Sequence, residues 1–561
     1  CHCRCCGHIA FGPILNPFFK SNHGLALSKI GRSAIILIAI GIPVALNAQV
    51  EGSRASTSSS ALPNLGDGTD MTPNAERQLG DRIARELYRD PDYVDDAVLM
   101  EYVQGIWQPL LNAARQRGDL PPELDEAYAW QVLLGRDRTV NAFALPGAYF
   151  GLHMGLVAVV TSRDELASVL AHELSHVTQR HIARRMTQQS QQAPWMIGAM
   201  ILGVLAASKS PDAANAMIVG GQAVGAQSQL NFSRDMEREA DRVGFGVASQ
   251  AGFAPEGFVS MFAKLQQASR LNDSGNFPYL RSHPLSTERM SDMQSRIELP
   301  GSAPSGTPGV RQNVQETDHA MMAARARVLS NSNADALRNW AVEADAAHLA
   351  RMSGAQKASA LYGATLAAIK LRDYKDANSR WVQLTDHVRT DPPSSRLARL
   401  LGVELLLAQG DGTAALAKLT VASEKAEKPS RAELFFAAQA TLQTLTKAQS
   451  RPGVSGTSGP GAAATVTQSL QTWVASHPRD AQAWQHLANA YAAEGRTLSS
   501  IRAQAEVHVA QLDYAAALSR FKSAQDWARK GGAATDHFEA SIVDTRTRQV
   551  ESLVREQALE R

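Results

Sequence analysis

The sequence predicts an α+β domain followed by an all-α domain of stacked helix pairs. Three observations carry that division. From Met71 to about Leu299 the apolar patterning is continuous. The Pro-Gly-Ser-rich stretch GSAPSGTPG at 301–309 then interrupts it. From about Asp318 to the end the chain is rich in Ala and Leu at helical spacing.

At 561 residues the chain exceeds one ordinary core, so two or more folded units with tails are expected. Its 44% hydrophobic and 20% charged content excludes a disordered or wholly membrane-embedded chain. A net charge of +2, with no basic stripe interleaved with aromatics, gives no case for nucleic acid.

Residues 1–48 read as an over-extended start followed by an export signal. Lys29 and Arg32 precede the apolar run Ala34 to Leu46, and small residues end at Ala48. The run is short for a membrane span, which leaves an uncleaved anchor as the lesser alternative. The expected start lies near Leu25 or Leu27, and the expected mature chain begins at Gln49. All four cysteines (Cys1, Cys3, Cys5 and Cys6) precede that cut, so a metal role for them with His2 is the weaker reading. Residues 49–70, small and polar, are expected to be flexible. A domain at 71–300, a linker at 301–317 and a helical domain at 318–561 follow, the last broken by a low-complexity loop at 450–465.

Residues 161–185 read as one helix, opened by Ser162 and Glu165 in a capping-box pattern. His172 and His176 are four apart, hence on one face, where both rings can meet one metal ion. Glu173 is turned by about 100° and flanks that ion, placed to take a proton from a water there and return it to a leaving amine. A catalytic metal usually needs a third protein ligand. His181 does not fit, because Gln179 and Ile182 stand where a metzincin extension needs Gly and His; it is expected on the helix surface or behind a ligand. Glu237 fits better. With Asp241 it lies on one face of a helix, so one carboxylate can bind the ion while the other accepts the free N–H of a ligand histidine. Glu239 is expected to point elsewhere.

In the tail, Tyr374, Ala377 and Trp381 carry the spacing of the second helix of a tetratricopeptide unit. Tyr514, Ala517, Phe521 and Ala524 repeat it, and Trp484, Leu487, Ala488 and Tyr491 match a first helix. A generic helical bundle is the alternative.

HELSH at 172–176, followed about sixty residues later by EREAD at 237–241, resembles the gluzincin metallopeptidases that include HtpX and the CAAX prenyl proteases. Export together with a repeat tail looks most like the periplasmic branch of that family. The resemblance covers about residues 70–300 and, more loosely, the tail. It implies an α+β zincin-like (gluzincin) metallopeptidase domain followed by an all-α tetratricopeptide-like helical repeat domain. It implies one zinc per chain on His172, His176 and Glu237, with Glu173 as general base and Asp241 supporting a ligand ring. Asn141, Ala142, Phe143 and Ala144, followed by Leu145-Pro146-Gly147, resemble the edge strand on which such enzymes lay their substrate. Ser282-His283-Pro284 with Arg289 resembles the family's HP…R segment. By that likeness His283 and Arg289 stabilise the oxyanion, or His283 covers the metal as an extra ligand and holds the enzyme latent.

The implied substrates are unfolded or misassembled outer-membrane proteins in the periplasm, and the implied partner of the repeat tail is the outer-membrane assembly machinery. The apolar stretches 195–207 and 213–226 are short for a span. They are expected as buried core or as a hydrophobic helical hairpin that covers the cleft or makes peripheral membrane contact. A rival of another class is a chaperone or scaffold for outer-membrane assembly with a latent or vestigial metal site.

Overall fold

The computed structural model describes residues 71–188, 233–270, 277–297, 310–423, 428–449, 460–531 and 536–559. The expected export and flexible segments, the apolar stretches 195–207 and 213–226, and residues 301–309 of the expected linker lie outside them.

Helix α1 (Pro73–Arg89) starts at Thr72, whose hydroxyl accepts from the Ala75 amide at 3.2 Å. Pro73 takes the first helical position, where no amide hydrogen is needed. After the two-residue strand β1 (Tyr93–Val94), α2 (Ala97–Arg117) is capped by Asp96 and closed by Gly118 at φ +78°. A short α3 (Pro122–Ala127) precedes β2 (Gln131–Gly135), β3 (Ala142–Leu145) and β4 (Tyr149–His153). The strand order is β1-β2-β4-β3, with β2 and β4 parallel and the other pairs antiparallel. All of β4 is buried. The predicted edge strand does lie at an edge, as β3, although its ladder begins at Ala142. Gly151 of β4 pairs with Phe143, whose ring fills the place a Cβ would take, at 2.1 Å.

Helices α4 (Met154–Val159) and α5 (Arg163–Thr178) follow, and every residue of α5 from Glu165 onward is buried. The Ser162 hydroxyl accepts from the Glu165 amide at 3.2 Å, while the Glu165 carboxylate reaches back to the Thr161 amide at 2.6 Å. The predicted single helix over 161–185 is in fact two. Gln179 ends α5, Arg180 turns at φ +53°, and α6 (His181–Gln188) sets off anew. A left-handed arginine costs about 1–2 kcal/mol. Here the Arg180 guanidinium is anchored on the Met71 carbonyl and faces Glu76, so tertiary contacts override local preference. Then come α7 (Arg234–Gln250), α8 (Glu256–Arg270), α9 (Tyr279–Ser282) and α10 (Thr287–Ile297).

The helix Val310–Ser330 begins inside the predicted linker, because past Gly309 no Pro or Gly occurs to stop it. Its Met321, Met322 and Ala324 are buried in one core with Leu156, Val160 and Leu166. The described residues thus belong to one compact unit. Charges reinforce the join. Asp96 at the start of α2 takes a two-pronged bond from Arg325, both at 2.7 Å, and Asp95 one from Arg431 at 2.9 and 2.7 Å. Glu101 meets Arg396 at 2.7 Å.

Beyond, helices pack in short-linked pairs: Gly354–Leu371 with Tyr374–Val388, Pro392–Ala408 with Gly412–Ser423, and Ala481–Ala493 with Thr497–Ala510. Ala377, Ala517, Phe521, Ala524, Leu487, Ala488 and Tyr491 are buried, as their spacing predicts. The helix Pro460–Ser476 starts inside the predicted loop 450–465, since proline is tolerated in a helix's first turn.

Candidate metal centre

Helices α5 and α7 pack closely at Gly244, where a Cβ would stand 3.0–3.1 Å from the Ala171 carbonyl and the His172 amide. The missing side chain lets α7 lie against the backbone of α5, so Glu237 and Asp241, on the preceding turns, reach the two histidines. Gly244→Val should separate the helices and cost about 1–3 kcal/mol of stability. Its denaturant midpoint beside wild type checks this, with no shift as the contrary result.

Four side chains converge. The ligand atoms of His172, His176, Glu237 and His283 lie within 4.8 Å of one another, and all four residues are at most 2% exposed. His172 Nε2 stands 3.0 Å from His176 Nε2 and 3.3 Å from His283 Nδ1. Glu237 Oε1 lies 3.1 Å from His283 Nδ1 and 3.4 Å from His176 Nε2. Four ligands tetrahedrally placed around zinc at its usual bond lengths stand roughly 3.3 Å apart. Four of the six edges lie at 3.0–3.4 Å, close to that spacing. The donor set also fits, since three imidazoles and one carboxylate suit zinc.

Burial opposes protonation of His172, but Asp241 and Glu237 outweigh it and lift the imidazole to about 9. Burial and the neighbouring His172 hold His176 well below its ordinary value. Glu237 stays well below the usual carboxylate range because His283 and His172 overcome the effect of its burial.

Glu173 flanks the cluster, as its helical offset predicts. Its Oε2 accepts from the Ala144 amide at 3.0 Å, while Oε1 is buried with no hydrogen bond, 3.4 Å from His283 Nε2. Burial raises its pKa, partly offset by His283 and His172. The link to β3 is informative. The Asn141 carbonyl accepts from the His153 amide, so residues 141, 143 and 145 face β4 while 142 and 144 turn their backbone groups outward. Glu173 thus holds an outward amide of that edge strand.

His172 Nδ1 meets Asp241 Oδ1 at 2.9 Å, the support expected of that carboxylate. His283 caps α9, its amide bonded to the Tyr279 carbonyl at 2.9 Å and its ring stacked on Tyr279 at 4.6 Å. Arg289 does not lie as an oxyanion role requires. Its guanidinium forks onto Asp241 at 2.5 and 2.8 Å, donates to the Pro284 carbonyl at 2.8 Å, and stands in an ion pair with Glu237 Oε2, also at 2.8 Å. The Asp241 partner, 48 positions away, left no local signal. Sequence reading also missed a pairing of His181 with Glu239. His181 is fully buried behind His176, and Glu239 bonds it.

The model of peptidase family M48 matches residues 106–297. The chain is 29% identical over 329 residues to the beta-barrel assembly-enhancing protease of Escherichia coli, and 31% identical over 328 residues to its Vibrio cholerae counterpart. Those matches cover 57% and 58% of this chain, and the chain spans only 62% and 63% of those relatives' lengths. A mitochondrial metalloendopeptidase OMA1 of Saccharomyces cerevisiae is 27% identical over 196 residues, 34% of this chain and 54% of that protein.

Proposed function

Because this chain carries a metalloprotease domain of peptidase family M48 at residues 106–297, we propose that it is a zinc endopeptidase cleaving unfolded or misassembled outer-membrane proteins in the bacterial periplasm. The observation that carries this reading is the buried convergence of His172, His176, Glu237 and His283 beside a carboxylate bonded to an open strand edge. The names of the bacterial relatives support β-barrel proteins as the substrate class.

When bound, zinc supplies Lewis acidity that polarises a peptide carbonyl and acidifies a water molecule. His172, His176 and Glu237 would hold it. Glu173 takes the water's proton on Oε1 and passes it to the leaving nitrogen. The outward backbone groups of Ala142 and the Ala144 carbonyl of β3 offer hydrogen bonds that ignore side-chain identity, which suits a protease of unfolded chains. The short-linked helix pairs of the tail, with small and large residues alternating inside, support a tetratricopeptide-like array that recruits the outer-membrane assembly machinery. Among the described residues no helix is long and apolar enough to cross a membrane.

His283 occupies the place among the ligands that a reacting carbonyl or water needs. This supports a latent resting form, opened when the α9 segment withdraws. His283→Ala should therefore raise cleavage of an unfolded outer-membrane protein by about tenfold or more, with zinc retained and a chelator abolishing it. Lost activity would instead give His283 a transition-state role, and unchanged activity would dismiss both. A scaffold with a permanently closed site is the second reading, favoured by the same occupancy. It predicts no cleavage by any variant.

A further inference from the structure

We propose that His181 is a positioning residue for the ligand His176, and that Glu239, acting through it, selects the ring form of His176 able to bind metal. The proposal rests on the zinc reading of the site.

The two ligand histidines are supported differently. Asp241 stands behind His172. Behind His176 stands another histidine: His181 Nδ1 is 2.9 Å from His176 Nδ1, and His181 Nε2 is 3.0 Å from Glu239 Oε2. Arg184 steadies that carboxylate at 3.0 Å.

Hydrogen positions along this row follow from one end. A carboxylate only accepts, so in a neutral His181 ring the hydrogen sits on Nε2 and Nδ1 is left as an acceptor. The short contact then requires the hydrogen of His176 on Nδ1, which leaves Nε2 bare and turned toward His172 Nε2, 3.0 Å away. The opposite order would place a hydrogen on His176 Nε2 and block ligation. Glu239 thus fixes the tautomer of a ligand it never touches.

The backbone is arranged for this. On an unbroken helix a residue five positions after His176 would lie about 140° around the axis from it. The left-handed turn at Arg180 ends α5 and restarts the chain so that His181 folds back over His176. Arg180 itself is pinned by Met71 and Glu76 on α1 and its leading turn.

The test is the zinc affinity of the full chain, measured by competition with a chromophoric chelator, with the visible spectrum of the cobalt-loaded protein as a report on ligand geometry. His181→Leu keeps bulk and removes the acceptor; it should weaken zinc binding by about 10–100-fold and alter the cobalt spectrum. His181→Asn places an amide oxygen near the lost Nδ1 and should recover affinity to within about threefold of wild type. Glu239→Ala should fall between them. Wild-type affinity in His181→Leu would overturn the proposal. So would equal losses in Leu and Asn, since packing alone would then explain them. A wild-type chain that takes up no zinc would instead remove the metal reading, and this proposal with it.

Discussion

Glu173→Gln should lower kcat/KM for an unfolded polypeptide by about 10²–10⁴-fold while leaving one zinc bound. The substitution is nearly isosteric. The amide oxygen of the new side chain can still accept from the Ala144 amide, so the edge strand keeps its anchor. Glu173 is not among the four converging ligand residues, so metal uptake should survive. What disappears is the ability of Oε1 to take a proton, and the rate loss measures that alone. The reference is best the chain with His283 replaced by Ala, where the site is open and the range of measurement widest. Activity within a few-fold of that reference would remove Glu173 as the base. Loss of zinc would show that the ligand set was misassigned. A Glu173→Gln chain that still fully supports outer-membrane assembly in cells would move the function to the helical tail.

The candidate site was legible because its residues stand at helical spacing. His172 and His176 share a face, Glu173 flanks it, and Glu237 and Asp241 share the face that meets them. Those are consequences of 3.6 residues per turn and need no knowledge of the fold. The strand edge was legible through resemblance, and its bond to Glu173 was not, since a backbone amide 29 positions away has no local signature. The misread elements share one cause. A helix that continues by its own preferences is broken at Arg180 because a segment about a hundred residues earlier grips that arginine. A stretch that looks like a linker is helical from Val310, and the helix it opens is drawn into the core of the preceding domain. The arginines that clamp Asp95, Asp96 and Glu101 look like ordinary solvated charges in sequence. Periodicity reports which face of a segment is buried, and it is silent on the partner.

Arg289→Ala should destabilise the metal-free chain by about 3–5 kcal/mol, the usual cost of removing one member of a buried ion pair. The guanidinium is 3% exposed and serves two carboxylates, Asp241 and Glu237, each 1% exposed. Its loss strands both charges. The effect should shrink when zinc is bound, because a divalent ion then faces Glu237 and, through His172, Asp241. Acid should shrink it too. Burial raises the pKa of Asp241, but the Arg289 fork and His172 outweigh it and hold the group below its usual value. Stability from such a group is complete above the unfolded carboxyl pKa and fades as pH falls through the folded one. The gap between wild type and variant in unfolding midpoint should therefore be full at neutral pH and close on acidification. The same variant settles the other role open to Arg289. If its stability and zinc affinity match wild type while kcat alone falls, the guanidinium must leave the carboxylates during turnover to meet the reacting carbonyl. If stability falls as expected, Arg289 acts by holding Asp241 and Glu237 in place, and by tying the Pro284 carbonyl to them it also sets where His283 rests.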